Sequence, residues 1–195
     1  MKELFSMKFS LPDYYVITDN NHDKEDIFLQ KAKKCLDSDY KIIQLRKKTR
    51  SIKSYSAYAN MLINLATSYQ VKIILNHTAE LCYALAADGI HLTSQRLMSL
   101  YSRPLPETKI VSASCHDLMQ LKHAERIGVD FVTISPVLWT ATHPEQEPLG
   151  WELFEKWMRV TKLPVYALGG MKIEFLNQVK TMGGHGIAAI REFWS

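Results

Sequence analysis

The chain has 195 residues, 47% hydrophobic and 23% charged, which suits one soluble globular domain over residues 1–195 and excludes a disordered, collagenous or small disulfide-stapled chain. Twenty-four Lys and Arg against twenty Asp and Glu leave a net charge of +4, scattered along the chain, so no nucleic acid is expected as a partner while an anionic small molecule stays open. Cys35, Cys82 and Cys115 are odd in number and lack CxxC spacing; neither a disulfide framework nor a zinc knuckle can be read from them, and a reducing cytoplasm fits.

The first twelve residues carry Lys2, Glu3 and Lys8 among isolated apolar side chains, without the apolar stretch of a secretory signal. No later run approaches the ~18 apolar residues of a membrane span. Short β-branched runs then alternate with longer helical patterns. YYVIT at 14–18 predicts a strand, and 24–36 a helix with Ile27, Phe28, Ala32 and Cys35 at helical spacing. Residues 42–45 predict a second strand and 52–68 a second helix, with Tyr55, Ala59, Leu62, Ile63 and Ala66 on one face. Further strands are expected at 72–75, 89–92, 110–114, 131–135, 164–168 and 186–190, and helices near 78–86, 94–101, 117–127, 150–160 and 172–182.

Eight strands, each but the last followed by a helix, require parallel pairing through right-handed crossovers. A closed (β/α)8 barrel and a doubly wound open sheet compete. The first strand runs into Asp19-Asn20-Asn21-His22 without glycine, and eight units of roughly 25 residues make a short barrel, so the (β/α)8 TIM barrel is preferred. Only 191–195 follow the eighth strand; the last helix is expected to be missing or displaced, replaced by the segment before the first strand or by a partner subunit.

Chemistry in such a barrel sits at the carboxyl ends of the strands. Gln44, Arg46 and Lys48 alternate onto one side there, and two cations with an amide suit a phosphate or diphosphate; a solvated loop is the plainer explanation. Gly169-Gly170 after the seventh strand and Ala189-Ile190-Arg191 at the eighth offer backbone N–H groups for a phosphate, or a tight turn. Alternation joins Ser114 with His116 and turns Cys115 away, disfavouring a Cys/His nucleophile pair. His116 is a candidate general acid or base, or a structural histidine. His77, His91, His116 and His143 fall near strand ends, but only Asp117 accompanies them, which disfavours a zinc or iron site. The loop 139–149 (WTATHPEQEPL) has the composition of a substrate lid, with Thr140, Thr142 and His143 able to bond an anion.

QLRKK at 44–48, ILN at 74–76, GIHL at 89–92, SCH at 114–116, SPVLWTATH at 135–143, ALGGM at 167–171 and GIAAI at 186–190 together resemble the thiamine-phosphate synthase and thiazole tautomerase (TenI-type) superfamily. The later part is also similar to thiamine-phosphate-synthase-like domains that follow Nudix hydrolase domains; no Nudix portion is present in this sequence. The resemblance implies a (β/α)8 barrel, often a homodimer, an enzyme of thiamine biosynthesis, and thiazole phosphate as substrate with pyrimidine diphosphate as a second one in the synthases. By motif, Gln44, Arg46, Lys48 and Asn76 would meet the pyrimidine diphosphate and Ser114 the pyrimidine. Thr140, Thr142, Gly170, Ile190 and Arg191 would surround the thiazole phosphate. Two departures stand out: His77 and Arg96 occupy the positions where the resemblance places magnesium-binding aspartates, and His143 replaces the lysine of the lid motif. Magnesium would then be needed only if coupling is retained, and metal-independent proton transfer by His116 is the favoured activity, with coupling and non-catalytic binding as alternatives.

Overall fold

A computed structural model describes residues 9–19, 24–47, 51–141 and 144–194; the candidates Lys48, Thr142 and His143 lie outside the described residues. Strands β1 (Tyr14–Ile17), β2 (Ile42–Leu45), β3 (Lys72–Leu75), β4 (Gly89–Leu92), β5 (Ile110–Cys115), β6 (Phe131–Ile134), β7 (Val165–Ala167) and β8 (Gly186–Ala189) pair in parallel in chain order. β8 returns to β1, with Tyr14 opposite Ile187 and Val16 opposite Ala189. The sheet is closed, which removes the doubly wound alternative.

The crossovers carry α1 (Glu25–Leu36), α2 (Ile52–Ala66), α3 (Ala79–Ala84), α4 (Ser94–Ser99), α5 (Leu118–Ile127), α6 (Gly150–Met158) and α7 (Leu176–Thr181). Ser51, Thr78, Thr93 and Asp117 start four of them. Each side chain accepts from the backbone N–H three residues on, at 3.3, 3.5, 3.3 and 2.7 Å, satisfying a donor that the first turn leaves over. α5 stops at Gly128, whose φ of 76° is the left-handed cap that glycine adopts without strain. α3 is shorter than the sequence pattern suggests, since the chain turns at Leu85 and at Ala86, which has φ 52°. The expected helix at 172–182 is split between a 3-10 turn, Ile173–Phe175, and α7.

Alternation along the strands builds two cores. Outward residues such as Val16, Ile43, Ile73, Ile90 and Val132 pack under the helices, while Tyr15, Ile17, Ile42, Ile74, Ile110, Phe131, Tyr166 and Ala188 fill the barrel. Tyr15, Phe131 and Tyr166 meet at centroid distances of 5.1, 5.2 and 5.6 Å. Below them Phe9 and Leu11 close the amino-terminal mouth, Tyr166 donates its hydroxyl to the Pro12 carbonyl, and His185 Nε2 lies 3.1 Å from the Leu11 carbonyl.

The described residues ahead of β1, 9–13, therefore plug the barrel floor. The tail itself covers the seam. Phe193 stacks with Tyr14 and Tyr40 at 5.5 and 5.0 Å, and Trp194 with Phe28 of α1 at 5.4 Å; both are buried.

Two glycines bear different loads. A Cβ at Gly89 would lie 2.1 Å from the Ile110 carbonyl oxygen, a backbone clash between β4 and β5, whereas at Gly128 nothing lies within 4 Å and only the positive φ opposes a side chain. Urea unfolding should show Gly89→Ala losing about 3 kcal/mol and Gly128→Ala about 1 kcal/mol. Equal losses would contradict this packing.

Candidate functional site

The carboxyl ends of the strands surround a cavity of ≈ 250 Å³. Of the residues singled out in the sequence, Gln44, Arg46, Asn76, His91, Ser114, His116, Thr140, Gly169, Gly170, Ala189, Ile190 and Arg191 line it. The convergence follows from alternation in a closed parallel sheet: Gln44 and Arg46 point in from β2 and its end, and Ser114 and His116 from β5. Cys115 turns outward, fully buried, and burial pushes its thiol up to about 12, so it offers no thiolate.

Arg46 is partly buried, and desolvation lowers its pKa from the ordinary guanidinium value. Its backbone is fixed: its N–H donates to Thr18 Oγ1 at 2.9 Å, and the Thr18 hydroxyl donates back to its carbonyl at 3.2 Å. A poorly hydrated cation at a pocket wall gains from an anion more than a fully hydrated one does.

His116 is exposed at the rim and held at two points. Its backbone N–H donates to Gln120 Oε1 at 2.8 Å, and its ring Nδ1 lies 2.7 Å from the Ser135 carbonyl oxygen. A carbonyl only accepts, so Nδ1 carries the hydrogen and Nε2 of the neutral ring keeps its lone pair. This is an oriented base.

The glycine pair has a packing reason of its own. Gly169 and Gly170 have φ of 94° and 67°, and a Cβ on them would meet Pro136 Cα at 2.8 Å and the Trp139 carbonyl at 2.7 Å. Val137 and Leu138 donate to the Leu168 and Gly169 carbonyls at 2.8 and 3.1 Å, laying the loop after β6 across the end of β7. Thr140 and Gln146 of that loop line the cavity, and Trp139 stands exposed.

His77 and Arg96 are not among the lining residues. The His77 ring packs on Tyr55 at 4.8 Å with its Nδ1 buried and unpartnered. Burial, then the positive charge of Arg96, lowers its pKa. Magnesium takes oxygen ligands and favours carboxylates, so a guanidinium beside a desolvated imidazole does not fit the metal that the sequence resemblance implies. Among the described residues no three His, Cys, Asp or Glu side chains group as metal ligands.

The sequence offers His91 only as one of several strand-end histidines, and the structure gives it a different place. It is 2% exposed inside the barrel, its Nδ1 2.9 Å from Ser112 Oγ and its Nε2 2.8 Å from Ser114 Oγ. Its inward register on β4 was readable from GIHL, where Ile90 and Leu92 face out. Ser135, by contrast, acts through its backbone carbonyl, which carries no sequence signal, and Thr93, Gln146 and Glu192 reach the cavity from loops.

Burial, with Arg46 and His116 adding to it, pushes His91 down to about 3 from an ordinary 6.5. Between those values the unfolded chain binds a proton that the folded chain refuses, so stability falls as pH drops through that window, by up to about 1.4 kcal/mol per pH unit. Urea unfolding between pH 7 and pH 4 should show this slope, and His91→Gln should flatten it. A slope unchanged in the variant would contradict the assignment.

Residues 14–193 match the family profile described as thiamine monophosphate synthase (TMP-TENI). A protein of Aquifex aeolicus (strain VF5), named provisionally as a thiamine-phosphate synthase 2, is 33% identical over 183 residues, 94% of this chain and 98% of that protein. The thiamine-phosphate synthase of Caldicellulosiruptor bescii is 32% identical over 169 residues, 84% of this chain and 76% of the relative. In structure the chain is similar to the thiamine phosphate pyrophosphorylase of Pyrococcus furiosus, with a TM-score of 0.73, 24% identity and coverage of 91% and 85%, a likeness of fold. With the closed eight-stranded barrel and its rim motifs, these matches show that the chain belongs to the thiamine monophosphate synthase (TMP-TENI) family.

Proposed function

We propose that the cavity binds a thiazole phosphate of thiamine biosynthesis and that His116 moves a proton on the thiazole ring without a metal. One observation carries this reading: His116 presents a tethered, oriented Nε2 lone pair at the cavity wall; the sequence resemblance, which puts His77 and Arg96 at the positions of the magnesium carboxylates, supports it. Nε2 takes a proton from one position of the ring system and returns it at another, so composition and net charge are conserved, and no leaving group needs neutralising. Arg46 and Arg191, with the backbone N–H groups of Gly170 and Ile190, line the same cavity and supply the positive field that a phosphate needs.

A second reading is coupling of pyrimidine diphosphate to thiazole phosphate, with release of diphosphate. The names of the relatives favour it. Under this reading Arg96 would have to offset the diphosphate charge in place of the dication, and a single fixed cation does not bridge two phosphate oxygens as a metal does.

Incubation with the thiazole phosphate carboxylate, with and without pyrimidine diphosphate and magnesium, separates the readings. The expected product is the isomerised thiazole, at a rate unaffected by magnesium, lowered about 10²–10⁴-fold in His116→Ala and little changed in Arg96→Ala. Magnesium-dependent formation of thiamine phosphate, abolished in Arg96→Ala, would establish coupling instead. Ligand-induced thermal stabilisation without turnover in either assay would leave a binding barrel.

A further inference from the structure

Under the cavity floor runs a chain of buried polar side chains that the proton transfer does not use. Gln44 Nε2 donates to the Tyr15 hydroxyl at 2.8 Å, the Tyr15 hydroxyl lies 3.5 Å from His91 Nδ1, and Ser112 and Ser114 flank the two ring nitrogens of His91. Tyr15, Gln44, His91 and Ser112 are all at most 2% exposed. Gln44, His91 and Ser114 are among the residues lining the cavity, and Ser114 is the least buried of the chain.

Each hydroxyl beside His91 has a second partner, and this decides what the ring can do. Ser112 Oγ lies 3.3 Å from the Ile90 carbonyl, and Thr133 Oγ1 donates to Ser114 Oγ at 3.4 Å. With hydrogen on Nδ1, Ser112 accepts from His91 and passes its own hydrogen to Ile90, while Ser114 donates to Nε2 and turns a lone pair to the cavity. With hydrogen on Nε2, Ser112 donates to Nδ1, Ser114 accepts from both His91 and Thr133, and the Ser114 hydrogen is released to the cavity. Neither arrangement leaves His91, Ser112 or Thr133 without an acceptor for its hydrogen, and the Ser114 hydrogen has the ring or the open cavity, so these four groups set no penalty that would fix the ring in one form. Burial keeps His91 neutral near physiological pH, as both forms require.

We propose that His91 is a positioning residue whose two neutral tautomers reverse the hydrogen-bond polarity of Ser114, so that the cavity floor takes either a donor or an acceptor group of a heteroaromatic substrate. The ligand selects the tautomer: a ring amino group draws the Nδ1–H form, and a carboxylate or bare ring nitrogen draws the Nε2–H form. The substrate side of this inference rests on the reading of the cavity as a thiazole phosphate site; the tautomer exchange does not.

The test is long-range proton–nitrogen NMR of the full chain with 15N-labelled histidine at neutral pH. His91 is assigned by its loss in His91→Gln or, should that variant not fold, by through-bond assignment of the wild type. In the free protein its ring nitrogens should show shifts averaged between the two forms, and one fixed tautomer would overturn the proposal. Ser112→Ala leaves the Tyr15 hydroxyl, 3.5 Å from Nδ1, as the donor facing that nitrogen, so the average should move toward Nε2–H; an unmoved average would also overturn it. Saturation with an aminopyrimidine phosphate and with the thiazole phosphate carboxylate should drive the ring to opposite tautomers, and the same tautomer in both complexes counts against the proposal. Failure of both ligands to bind removes the substrate reading while the free-protein result stands.

Discussion

The open end of this barrel stands on three aromatic rings. Tyr15, Phe131 and Tyr166 meet edge-on or tilted inside the sheet, sealed from below by Phe9 and Leu11, and the carboxyl ends of the strands can be hollow because the space beneath is filled. Tyr15 belongs to two layers at once. Its ring is part of the apolar filling, and its hydroxyl, between Gln44 and His91 Nδ1, begins the polar chain that reaches Ser114. A barrel interior without that hydroxyl would leave Gln44, buried on β2, without its recorded partner, and an unpaired buried amide costs about 1–3 kcal/mol.

Above this floor the electrostatics decide the chemistry. Arg46 and Arg191 line the cavity, Arg96 acts on His77 beside it, and burial weakens the hydration of Arg46. Under the proposed function this rim holds a phosphate, with Glu192 the one carboxylate among its described lining residues. Synthase chemistry needs a centre that holds diphosphate as it leaves, whereas proton transfer needs only an anchored substrate and one base of fixed orientation. His116, tied through Nδ1 to the Ser135 carbonyl, meets the second requirement, and the donor set around His77 does not meet the first.

The strands were legible because a β-branched run bounded by polar turns has few other uses, and their number and rhythm sufficed for a closed barrel. Alternation carried over from single strands to the site: it placed Gln44 with Arg46 and Ser114 with His116, and turned Cys115 outward. Motif resemblance did less well in three dimensions. His77 and Arg96 occupy the right places in the sequence, yet the ring of His77 lies on Tyr55 and neither residue lines the cavity. The partners of His91 were hidden for a different reason. Ser112 and Ser114 read as small residues in a strand, and only the register of β4 against β5, His91 opposite Ser112, shows that one imidazole bridges both hydroxyls. The fate of the tail was equally non-local, since Trp194 finds Phe28 across the whole length of the chain.

The proposed function requires a rim that binds phosphate without a metal. Titration calorimetry of the full chain with thiazole phosphate, once in EDTA and once in millimolar magnesium, tests it most directly. The account predicts saturable binding with the same affinity in both buffers. Binding that appears only with magnesium would contradict it.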